Sequence, residues 1–190
     1  MKIKALFFFV TLMLISMTAF ATEPVERSVS PDGKNVVEWQ CEDMWQKKCE
    51  VSAIIPNQKI QIWKEVQVLS ATWHGNDLLE IHASCGSPCS YSRFYSPGRE
   101  GSGPIEFVVA RSAEKKIAIS ATGDYLKVIK IFENDQKPIQ LIELKDYAPT
   151  AVLVNVIKEV KFLKGDKLLI RYLAGDDYIE KSKTVNLKFR

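Results

Sequence analysis

Residues 82–89 hold the side chains best suited to chemistry in this sequence. Cys85 and Cys89 enclose Gly86-Ser87-Pro88, and His82 stands three residues before the first cysteine. One imidazole and two thiolates make a soft donor set for copper or zinc. Oxidised, the same two cysteines close a small ring instead. Cys41 and Cys49 form a second close pair, and in an oxidising compartment all four read as disulfides. Four cysteines allow three pairings; their clustering favours Cys41 with Cys49 and Cys85 with Cys89. A thiol-exchange role would prefer a CxxC at a helix N-terminus, and no helix is expected after Cys89.

Enzymatic motifs are missing. The chain has no GxSxG, HExxH or P-loop, and only His74 and His82 could serve as an imidazole base. His74 falls in a turn beside Gly75 and His82 ends a strand, so both are expected to be solvated or bonded to backbone. Asp176 and Asp177 follow Gly175 and read as a hairpin turn before they read as a carboxylate pair. Trp39, Trp45, Trp63 and Trp73 are expected to fill core or cover a sheet rather than form a sugar platform. Nothing implies a cofactor.

Ser84 to Pro104 differs from the rest, because it holds 4 of the 9 glycines and 3 of the 8 prolines as well as Cys85 and Cys89. A connection of this length is usually functional or disordered, and the expected disulfide argues for order. It carries Tyr91, Arg93, Phe94, Tyr95 and Arg99, aromatic and guanidinium groups of the kind that anchor protein contacts. Two readings stay open. The segment is either a presented recognition surface, or Tyr91–Tyr95 is a strand with Tyr91, Arg93 and Tyr95 on one face and Phe94 filling core on the other.

The surrounding elements are short and β-rich. Alternation is clear in Lys59–Trp63 and Leu126–Ile131, the pattern of antiparallel sheets with one wet face. Strands are also expected at Asn35–Gln40, Glu50–Ile55, Val66–Trp73, Leu78–Ala83, Ile105–Ala110, Lys116–Ala121, Ile139–Leu144, Glu159–Leu163, Leu168–Leu173 and Thr184–Phe189. Pro31-Asp32-Gly33, Gly75-Asn76-Asp77, Gly123-Asp124 and Gly165-Asp166 supply hairpin turns. Residues 151–161 have helical spacing but a Val/Ile-rich composition, leaving strand or one short helix. The fold class is therefore all-β, an antiparallel meander of hairpins that is propeller-like (incomplete) or a β-sandwich, with at most one short helix.

Compartment is read from residues 1–21. Lys2 and Lys4, the apolar run Ala5–Met17 and Ala19-Phe20-Ala21 have the form of a cleaved signal peptide. Residues 22–190 then make one exported domain, periplasmic or secreted, without a stable membrane anchor. Removing the two leading lysines leaves 24 basic against 23 acidic residues, a balance that argues against nucleic acid as partner. Composition likewise excludes collagen, an acidic disordered tail and a multipass membrane protein.

Two resemblances accompany these readings. Ser30-Pro31-Asp32-Gly33-Lys34 before Val36-Val37 resembles the strand-entering turn of periplasmic β-propeller repeats, with Trp73–Leu79 as a degenerate second copy. The Cys85/Cys89 spacing resembles the CxxxC of copper-delivery proteins, which implies a metal site at His82, Cys85 and Cys89. The leading expectation is a non-enzymatic binding protein, of inhibitor or immunity type, that recognises another exported protein through residues 84–104. The alternative is copper or zinc handling. The Ser-Gly-x-x-Tyr loop of some lysozyme inhibitors is missing, since Ser102-Gly103 is followed by Pro104, Ile105 and Glu106.

Overall fold

The structure, a computed structural model, describes residues 24–42, 48–56, 58–86, 89–133, 135–149 and 152–189. The expected signal peptide and Trp45 lie outside them. Among the described residues the chain forms four antiparallel meander sheets in succession and no α-helix. The first sheet comprises β1 (Glu26–Val29), β2 (Val36–Cys41), β3 (Cys49–Ile55) and β4 (Gln58–Val66). The second has β5 (Ser70–Trp73), β6 (Leu79–Ser84), β7 (Ser90–Tyr95) and β8 (Ile105–Glu106). The third has β9 (Val108–Ser112), β10 (Ile117–Thr122), β11 (Tyr125–Lys130) and β12 (Pro138–Glu143). The fourth has β13 (Ile157–Leu163), β14 (Lys167–Ala174) and β15 (Ile179–Asn186). In each sheet spatial order equals chain order, as hairpin connections dictate.

Successive sheets pack through apolar faces. Val37, Trp39, Val51 and Trp63 of the first meet Leu79, Ile81 and Tyr95 of the second. Phe94 and Ile105, with Leu78, meet Ala118 and Ile129 of the third. Ile119, Leu126 and Val128 meet Leu168, Ile170 and Tyr172 of the fourth. Fully burying one such side chain contributes roughly 1.5–3 kcal/mol, so each junction rests on a core of its own. The first hairpin turns of the four sheets are also linked in series. Asn35 Nδ2 donates to Asn76 O at 3.0 Å, Lys116 pairs with Asp77, and Lys115 pairs with Asp166. Consecutive sheets thus present equivalent turns at one end, as propeller blades do.

Two strands expected as single runs are broken. Val66–Trp73 divides because β4 ends at Val66 and β5 begins at Ser70, with Glu65 at φ 54°. Ile105–Ala110 divides at Phe107, φ 47°, into the last strand of the second sheet and the first of the third. Residues 153–156 form one 3-10 turn before β13, so the segment left between strand and helix contains both. Cys41–Cys49 and Cys85–Cys89 are joined as expected.

Ser84–Pro104 is not one long connection, since β7 occupies its centre. Its remainder is pinned by Ser102, whose Oγ accepts from Phe94 N at 2.8 Å and whose carbonyl accepts from Trp63 Nε1 at 3.1 Å. Gly101 is obligatory for that approach: a Cβ there would lie 2.5 Å from Trp63 Cε2 and 2.6 Å from Ile62 Cγ2. Gly101→Ala is expected to destabilise by about 1–3 kcal/mol, the usual cost of overpacking. Urea denaturation followed by tryptophan fluorescence measures it, and an unchanged midpoint would refute the contact.

Candidate functional site

β7 is an inner strand of the second sheet, paired on one side with β6 and on the other with β8. Ser92, Phe94 and Tyr95 are buried, and burial raises the Tyr95 phenol above its ordinary pKa. Phe94 and Tyr95 are therefore core side chains, Phe94 being fully enclosed, and neither is available as a presented anchor. Tyr91 and Arg93 are half-buried and line a cleft of about 420 Å³ between the second and third sheets. Its other walls include Glu106, Ser120, Thr122, Lys127 and Ile129. Arg99 is not part of it. It sits in an exposed turn, its guanidinium 5.4 Å from the Phe132 ring centroid, beside a separate groove.

The cleft has an unusual electrostatic feature. Arg93 Nε is buried and has no hydrogen-bond partner among the described residues. Desolvation pulls the guanidinium below its ordinary pKa, and the group acting the other way is Tyr91, not a carboxylate. Lys127, on β11 across the cleft, likewise makes no ion pair among the described residues. A half-buried cation normally has a partner, because desolvation without compensation is costly. Among the described residues no carboxylate pairs with either cation, although Glu106 lines the same cleft, and the space in front of the two cations can accept oxygens from a ligand. Ser120 and Thr122 add hydroxyls, 2.5 Å apart, on the same wall.

A second polar site was not anticipated from sequence. Glu80 of β6 has a side chain only 4% exposed. Its Oε2 accepts from His74 Nε2 at 2.7 Å and pairs with Arg111 of β9, while Oε1 accepts from Ser92 Oγ at 2.6 Å. Burial alone would raise the Glu80 pKa, but the hydrogen bonds from His74 and Ser92 and the Arg111 charge outweigh it, holding the carboxyl below the ordinary glutamate value. His74 is thus bound to a carboxylate rather than solvated or bonded to backbone. The signal was present as polar residues at alternate positions, Ser70-x-Thr72-x-His74 and Glu80-x-His82, on both sides of one turn. Register places Thr72 opposite Glu80 and Ser70 opposite His82, which gathers all of them on one face.

The alternative metal site does not assemble. Cys85 and Cys89 are joined to each other and offer no thiolate, and no group of three metal-ligating side chains occurs among the described residues. Asp176 and Asp177 lie in the β14–β15 turn. Trp39 and Trp63 are buried, and Trp73 packs against the same core, leaving no aromatic platform among these three. No described helix is long and apolar enough to cross a membrane. No family model, curated protein or solved structure matches the chain.

Proposed function

We propose that this chain is a non-enzymatic binding protein of an oxidising, exported compartment, of inhibitor or immunity type, that seats an acidic side chain of a partner protein in the Tyr91/Arg93 cleft. The observation that carries the proposal is the Arg93 guanidinium, desolvated in the cleft wall without a carboxylate partner. An incoming Asp or Glu would supply the missing oxygens in the fork geometry that arginine favours. Tyr91 beside it gives rigid, amphipathic contact area, and Lys127 opposite adds attraction during approach. Two disulfides suit the proposed compartment, and the Cys85–Cys89 ring braces the end of β6 from which β7 returns.

Affinity capture from periplasmic extract tests this, with the partner's affinity then measured against wild type, Arg93→Glu and Arg99→Glu. Arg93→Glu is expected to weaken binding about 30-fold or more, the loss of a central anchor. Arg99→Glu, outside the cleft, should change it less than threefold. Equal affinity of wild type and Arg93→Glu would overturn the cleft assignment.

A further inference from the structure

The Glu80 cluster forms the floor of a different cleft, about 310 Å³, walled by Ser70, Thr72, His74, His82 and Arg111. Its chemistry is one-sided. The one acid, Glu80, has both oxygens occupied by three donors within the fold. What remains toward the cleft is donating capacity. Arg111 Nε is buried without a partner, although the same guanidinium holds Glu80 through Nη2. The Ser70 and Thr72 hydroxyls stand at the exposed rim, and neither they nor the His82 ring make a side-chain hydrogen bond within the described residues.

The geometry points to an oxyanion site in this cleft, for a phosphoryl group either free or esterified to a small organic alcohol. A carboxylate in the wall would ordinarily repel an anion. Glu80 does not act so, because Arg111 neutralises it at contact distance and its oxygens are turned to His74, Ser92 and Arg111. The cost of desolvating Arg111 is thus largely met by the fold, and its Nε, shielded from solvent in this structure, still has no hydrogen-bond partner among the described residues. Hydroxyls and ring N–H groups on two further strands can approach a tetrahedral anion from different directions, a common way to hold phosphate without a large excess of charge. The cleft exceeds the space of a bare oxyanion, which leaves room for the carbon skeleton of an ester. No Phe, Tyr or Trp lines it, so the lining offers hydrogen-bond donors rather than a broad apolar ring surface.

Calorimetric titration of the full chain with inorganic phosphate, glycerol phosphate and acetate at constant ionic strength tests the site. Saturable binding of phosphate or glycerol phosphate, with acetate at least tenfold weaker, is the expected result. Tighter glycerol phosphate assigns the ester as ligand, and equal affinities assign the free anion. Arg111 is a poor first variant, since its loss strands Glu80. Ser70→Ala with Thr72→Val leaves that network intact and should weaken phosphate binding about tenfold or more, with an unchanged thermal midpoint. His82→Gln serves as an independent second variant with the same expectation. Absence of saturable binding, acetate binding as tightly as phosphate, or full affinity in both variants would each overturn the assignment.

Discussion

Glu80→Ala is expected to destabilise the protein by about 3–5 kcal/mol, the cost of removing one partner from a buried ion pair. The carboxylate joins two sheets, taking bonds from His74 and Ser92 within the second and from Arg111 of the third. Truncation leaves the Arg111 guanidinium uncompensated beside a void, in a protein whose total stability should be on the order of 5–15 kcal/mol. The effect carries a pH signature of definite sign. Glu80 has a depressed pKa in the folded protein, so its charge contributes stability that is complete above the unfolded value of about 4.3. That contribution is lost as pH falls through the lower folded value. The difference between wild type and Glu80→Gln, measured by urea unfolding, should therefore be largest near pH 7 and shrink below about pH 4. A difference that stays constant over that range would show that the charge of Glu80 is not the stabilising element.

Why the Glu80 site escaped a reading of the sequence while much of the scaffold did not is a matter of what sits opposite a strand. Polar residues at alternate positions normally mark the wet face of a sheet, and Ser70, Thr72, Glu80, His82 and Ser92 obey that rule in sequence. In the fold, that face of the second sheet turns toward the third, where Arg111 arrives from 31 residues beyond Glu80. No local pattern encodes such a meeting. Turns announced themselves where glycine supplied the required backbone, as at Gly33 and Gly75, both at positive φ. The equivalent turn of the third sheet is Glu114-Lys115-Lys116, in which Lys116 takes φ 53° without glycine, so the recurrence of blade-like turns was hidden at its third member. Phe107 hid a sheet boundary in the same way, inside a run that reads as one continuous strand. The disulfide pairing was legible because each partner is close in sequence, 8 and 4 residues apart.

Neighbouring positions in β7 should respond in opposite ways, and this contrast separates scaffold from site. Phe94→Ala is expected to cost about 3–5 kcal/mol, because the ring is fully buried among Leu78, Ile105, Ala118, Ile129 and Ile131, the cluster that joins the second and third sheets. Arg93→Ala, one residue away, removes a half-buried cation that no carboxylate among the described residues compensates. Stability should stay within about 0.5 kcal/mol of wild type or rise, while partner binding falls. A cation whose desolvation the fold leaves uncompensated fits an interaction that a ligand completes. Guanidinium chloride denaturation of the two variants beside wild type decides the matter. A loss of several kcal/mol in Arg93→Ala would mean that the guanidinium serves the fold rather than a partner, and the proposed cleft would lose its principal support.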